Sequence, residues 1–192
     1  MDKHELRDLV LSWIVLTFAF SFNSIINRDF EVVASYAIAV MLGFVFHEMM
    51  HRKVAQRYGA IARYRAWYMG LLLAVVVSVA TMGRFVIAAP GAVEIVLPPM
   101  PYGYLVRITA AIAASGPFTN LLISIFALPF HLLLKGYTCL PTIVGEVNAI
   151  LALFNLIPLP PLDGWKVFRY SPLAWLLFFL ASALVTIVYV LS

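Results

Sequence analysis

The chain has 192 residues, of which 64% are hydrophobic and 11% charged, whereas a soluble domain is roughly half apolar and a quarter charged. A domain this small must show much of its surface to water, so the apolar surplus excludes a water-bathed globule and makes lipid the expected solvent for the outer surface. The net charge of +4 comes from lysines and arginines grouped between apolar runs, which suits membrane-flanking loops and argues against a nucleic-acid partner.

The charged start, residues 1–8, precedes a first apolar run at 9–26. No small-residue cleavage site follows, so the run is expected to be a retained helix and not a signal peptide. A second run, 32–55, is free of charge until Glu48 and ends in Arg52-Lys53. Both are long enough, or nearly so, for the roughly 20 residues that a crossing requires. The basic cluster Arg52, Lys53, Arg57, Arg63 and Arg65 is expected in the cytoplasm, which runs the second helix from outside to inside. Residues 67–82 are apolar but short. Residues 85–97 centre on Pro90-Gly91 with β-branched residues on both sides, which predicts a β-hairpin. Open strand edges cannot face hydrocarbon, so the hairpin must be embedded against protein or lie near water. A long run at 104–134 has Pro117 near its middle, where a kink is expected. A run at 140–157 stops at Pro158, Pro160 and Pro161, and a last run covers 173–191. The single Cys139 excludes an internal disulfide.

The sharpest signal is His47-Glu48-Met49-Met50-His51. Residues i and i+4 share one face of a helix, so both imidazoles can reach one ion, and Glu48 beside them can take the proton of a water that the metal activates. The bland alternative is a pair of interfacial histidines at a helix end. Three ionisable groups among Phe44, Val45, Phe46, Met49 and Met50 argue against it, because charge in an apolar helix is costly and usually functional. A tetrahedral zinc site needs a further protein ligand. His4 lies in the charged start of the chain, and His131 lies about 16 Å along the helix axis from Asn120. Asp163 is the better candidate: a carboxylate following a proline break, where unwound backbone implies a buried or water-lined position. Its alternative is an aspartate in an Asp-Gly turn. Basic residues follow both sites, Arg52-Lys53 after His51 and Lys166 and Arg169 after Asp163. Two sites at one depth require residues 67–97 to cross the membrane either not at all, as a re-entrant element, or twice, as a short helix with a returning arm; the re-entrant element is the expected one.

These residues resemble the site-2 protease family of intramembrane zinc metalloproteases. The matches are His47-Glu48-x-x-His51, Gly116-Pro117-x-x-Asn120, and Asn155-x-x-Pro158-x-Pro160-Pro161-Leu162-Asp163-Gly164. The resemblance implies one Zn2+ ion held by His47, His51 and Asp163, Glu48 as general base, and Asn120 as a polar residue assisting at the active site. The family's embedded β-hairpin would fall on 85–97. The apolar stretch 67–82 is longer than that family's connection.

On physical grounds Asn120 can donate to an oxygen that becomes negative during hydrolysis, or simply make an interhelical hydrogen bond. Glu146 and Asn155 are less telling: a water path or interface for the first, a helix-end contact for the second. The expectation is an all-α polytopic membrane protein with about five to six membrane helices and an embedded β-hairpin. It forms a single domain over 1–192, with a first helix and loop (1–31), a catalytic core (32–170) and a last helix (171–192). It would sit in the cell membrane, with its active site nearer the cytoplasmic face, and cleave transmembrane protein substrates. A metal transporter would be expected to show polar residues along a path or inverted repeats, and neither is evident. An inactive protease-like scaffold would not need the complete acid, base and ligand set.

Overall fold

The computed structural model describes residues 1–86 and 89–192. Helix α1 (Lys3–Ile26) opens on Asp2, whose carboxylate accepts the Glu5 amide proton at 2.8 Å. Helix α2 (Phe30–Val40) opens in the same way on Asp29. It continues through a π-helical turn, Met41–Val45, into α3 (Phe46–Arg57). Strand β1 (Ile61–Ala66), helix α4 (Tyr68–Ala80) and strand β2 (Gly91–Val96) follow. The rest is helical: α5 (Tyr102–Leu134), α6 (Leu140–Asn155), α7 (Asp163–Tyr170) and α8 (Pro172–Leu191). Pro172 begins α8, where its missing amide costs nothing, and Ser171 caps it.

Among the described residues four helical stretches are long and apolar enough to cross a membrane: Lys3–Ile26, Phe30–Arg57, Tyr102–Leu134 and Pro172–Leu191. Tyr68–Ala80 and Leu140–Asn155 are shorter apolar helices. Within the protein only 11% of the apolar window of α8 is buried. Leu173, Leu177, Leu180, Leu184 and Val190 stay exposed along it. In water such a face would be a severe liability; in a bilayer it is what a peripheral helix requires. The chain is thus an all-α polytopic membrane protein with one small sheet.

That sheet corrects the expected hairpin. Residues 91–96 form a strand, but their partner is β1, drawn from the basic cluster, in antiparallel register from Ile61↔Val96 to Ala66↔Gly91. Of the anticipated first arm, residues 87 and 88 lie outside the described residues, and Phe85, Val86 and Ala89 belong to no strand. Arg63 and Arg65 give β1 the look of a basic loop in the sequence. They project from the exposed face of the sheet, Arg65 pairing with Glu94 at 3.0 Å, while Ala62 and Tyr64 are buried on the other face.

Helix α4 separates the two strands and runs alongside α1 in the same direction. Tyr68 Oη donates to Asp8 (2.9 Å), Ser78 Oγ to the Ala19 carbonyl (2.7 Å), and Asn23 Nδ2 to the Met82 carbonyl (3.4 Å). Pro90 is back beside the start of α4, its carbonyl accepting the Trp67 amide proton at 2.8 Å. At 13 residues α4 is about 20 Å long, shorter than the roughly 30 Å hydrocarbon core.

Helix α5 is the central element, packed against α3, α6, α7 and α8. It stays helical through Pro117 and Pro129. Ser124 ties it to α6 through the Gly145 carbonyl (3.0 Å) and to α8 through Tyr189 Oη (2.8 Å). Such hydrogen bonds hold helices together where apolar contact alone does not favour protein over lipid.

Candidate metal centre

His47 and His51 lie on α3 one turn apart, both buried, at 5% and 7% exposure. Their Nε2 atoms are 2.9 Å apart. Asp163 opens α7 and brings Oδ2 to 3.0 Å from His51 Nε2 and 3.4 Å from His47 Nε2. The three side chains form a group able to bind a metal ion, with candidate ligand atoms all within 4.8 Å of one another. Ligand atoms about 2 Å from a tetrahedral zinc lie about 3.3 Å from each other, so these separations already suit one ion.

The surrounding contacts agree with that donor set. His51 Nδ1 lies 2.7 Å from the Ile112 carbonyl on α5, which also accepts from Ser115 Oγ at 2.7 Å. A ring proton donated to that carbonyl leaves the His51 Nε2 lone pair pointing at His47 and Asp163, the arrangement in which metal-binding imidazoles are commonly held. Acceptors gathered in a buried space call for a cation between them.

Two glycines make room for the cluster. A Cβ on Gly116 of α5 would run into the imidazoles of both His47 and His51. A Cβ on Gly164, next to Asp163, would run into the backbone of Leu156. Leu156 is fully buried, and its carbonyl accepts from Trp175 Nε1 of α8 at 2.7 Å. After the proline break the chain is thus pinned at Leu156, and Asp163 is carried back towards α3. Lys166 approaches its other oxygen, Oδ1, at 3.4 Å.

Glu48 is half-buried beside the two histidines, with the Val93 backbone amide of β2 facing its carboxyl group. Asn120 is fully buried one turn beyond Gly116, and neither atom of its amide has a hydrogen-bond partner among the described residues. An orphaned buried amide costs of the order of 1–3 kcal/mol, a cost worth carrying where a ligand completes the bonds. His131, set aside as a ligand, and the less telling Asn155 and Glu146 stay out of the group. His131 sits between Thr142 Oγ1 and Ser192 Oγ, each at 2.8 Å. Asn155 bonds within its own helix, to the Leu151 carbonyl, and Glu146 is half-buried on α6.

Sequence reasoning missed Asn148 and Glu5. Asn148 is fully buried on α6, its Oδ1 unpartnered and facing Gly43 in the π-helical turn; such turns often mark functional sites. Its signal was an amide in the middle of an apolar helix. Glu5 is 4% exposed and lies 2.9 Å from Arg52 Nε, next to His51, as a close ion pair. Its signal was the i, i+3 spacing of Asp2, Glu5 and Asp8 on one face of an apolar helix.

A helical membrane protein with a buried His-His-Asp cluster has the makings of a membrane metalloenzyme. The chain is 37% identical over 180 residues to a protein of Methanocaldococcus jannaschii named "Putative zinc metalloprotease MJ0611", a match spanning 91% of this chain and 88% of that one. It belongs to the zinc metalloprotease family of that relative. No family model and no solved structure matches it.

Proposed function

We propose that this protein is an intramembrane zinc metalloprotease of the site-2 type, hydrolysing peptide bonds in or near transmembrane segments of membrane-protein substrates. The observation that carries the proposal is the convergence of His47, His51 and Asp163 on a helix apolar enough to cross a membrane. In this reading they hold one Zn2+ ion, which when bound supplies Lewis acidity and a water of lowered pKa. Glu48 takes the proton of the attacking water and passes it to the leaving amine nitrogen. Asn120 donates its amide to the carbonyl oxygen as that oxygen gains charge. Arg52, Lys53, Arg57, Lys166 and Arg169 all follow the ligands closely, which favours a site near the cytoplasmic face of the cell membrane.

A scissile bond inside a helix is shielded, because its carbonyl is bonded along the helix axis and packed by neighbouring turns. The substrate must therefore unwind, and the sheet offers a template for it. In an antiparallel pair alternate residues turn their amides and carbonyls towards the partner and the next ones away. The amides of Tyr64 and Ala66 bond to α1 side chains, so their β2 partners, Val93 and Gly91, also point away from β1. The outer edge of β2 thus faces Glu48 with Val93. An extended substrate segment adds there as a third strand.

The deciding experiment uses purified protein in detergent, zinc analysis and a membrane-spanning test substrate. Glu48→Gln is expected to keep its zinc and lose hydrolysis by about 10²- to 10⁴-fold, the span of general-base catalysis. Loss of zinc together with activity would make Glu48 a ligand, and wild-type turnover in the variant would overturn the mechanism.

A further inference from the structure

The two edges of the sheet are treated differently, and the difference comes from α1. Glu5 Oε1 accepts the Tyr64 amide proton at 3.1 Å, and Asp8 Oδ2 accepts that of Ala66 at 3.3 Å. Three residues along a helix advance about 4.5 Å and two along a strand about 6.6 Å. Two carboxylates at i and i+3 can therefore meet alternate amides of a strand lying along the helix. Each is held in place independently. Glu5 is paired with Arg52 at 2.9 Å, while Asp8 takes Arg7 and Tyr68 Oη, both at 2.9 Å, on its other oxygen. Ser12 Oγ lies 2.9 Å from Tyr64 Oη and secures the same strand one turn further on. Among the described residues the sheet has no third strand, so no strand covers the outer edge of β2, while α1 occupies that of β1.

We propose that Glu5 and Asp8 are positioning residues that close the β1 edge, so that an unwinding substrate can add only to β2, the edge beside Glu48. The inference rests on the proteolytic reading above and adds how that site selects one of two available edges. A free strand edge is an indiscriminate template. A substrate paired to β1 would lie two strand spacings, about 10 Å, from β2 and about 14 Å from where β2 receives it.

Strand spacing makes the idea testable by disulfide trapping, because a disulfide spans Cβ atoms about 4 Å apart and cannot bridge a strand in between. A Glu48→Gln, Cys139→Ser protein would carry a new cysteine at exposed Arg63 on β1 or at exposed Ala92 on β2. It would be mixed with a membrane-spanning substrate bearing one cysteine near its cleavage region. Trapping is expected at Ala92→Cys and not at Arg63→Cys. Adding Glu5→Ala and Asp8→Ala is expected to open trapping at Arg63→Cys. With Glu48 and Cys139 restored, the same pair should slow cleavage of the helical substrate about tenfold, the order of a lost hydrogen bond to a charged group. Hydrolysis of a short, already extended peptide and zinc content should hold. Glu5→Gln with Asp8→Asn keeps both acceptors and should restore exclusive trapping on β2. Trapping on β1 with both carboxylates present, an unchanged pattern without them, or trapping on neither strand would overturn the inference. So would equal loss on both substrates, which marks a structural role. Failure of the proteolytic reading would appear separately, as an intact wild-type protein that cleaves neither substrate.

Discussion

The two halves of the candidate metal centre are built on opposite principles. On α3 the spacing of His47 and His51 is a property of the helix itself: any regular helix would bring residues four apart onto one face. On α7 nothing local directs Asp163 anywhere. It follows a proline-rich break and reaches the histidines only because Leu156 is buried, Trp175 bonds its carbonyl, and Gly164 lies flush against its backbone. The first half is robust to distant change; the second depends on contacts with α6 and α8. One cluster thus joins a candidate ligand pair set by local geometry to a candidate ligand set by packing.

That contrast can be broken from either side, and the two glycines give the largest expected effects. Gly164→Ala forces a methyl group against backbone that cannot yield, so Asp163 should be displaced while α3 keeps its histidines. Zinc affinity is expected to fall about tenfold to a hundredfold with helix content unchanged, as overpacking commonly costs 1–3 kcal/mol. Gly116→Ala pushes on the imidazoles directly. It should also lower zinc affinity, and X-ray absorption should show weakened histidine ligation rather than loss of the carboxylate. Identical spectra for both variants would mean that the cluster responds as one unit and that the distinction is false.

Asn120→Ala sharpens the comparison from a third direction, since α5 abuts both halves. Its amide is expected to act on the reacting carbonyl and not on the ion. The rate should then fall about a hundredfold with zinc content held, in line with the roughly 3 kcal/mol of an oxyanion donor. A less stable variant whose folded fraction keeps full rate would make Asn120 a packing residue. The smallest effect belongs to Trp175→Phe, which removes the hydrogen bond to Leu156 while retaining most of the ring. A loss of about 1 kcal/mol in stability is expected, read as a modest fall in the thermal midpoint in detergent, with a small drop in zinc affinity through Asp163 alone.

The sequence by itself determined the solvent, the helices and half of the centre. Apolar runs of membrane length are visible in composition, and the placement of His47, Glu48 and His51 follows from helical repeat, because both depend on neighbours along the chain. Asp163 was legible as a carboxylate behind a proline break, but only the tertiary structure brought it to 3.0 Å from His51. Only the tertiary structure could pair Gly91–Val96 with Ile61–Ala66, because strand partners are chosen by packing across distance and the arginines of β1 face outward from the sheet. The same holds for Glu5 and Asp8. Their spacing was present in the sequence, yet what they cap is a strand some 58 residues later, and no local pattern records which backbone amides a fold leaves in need of acceptors.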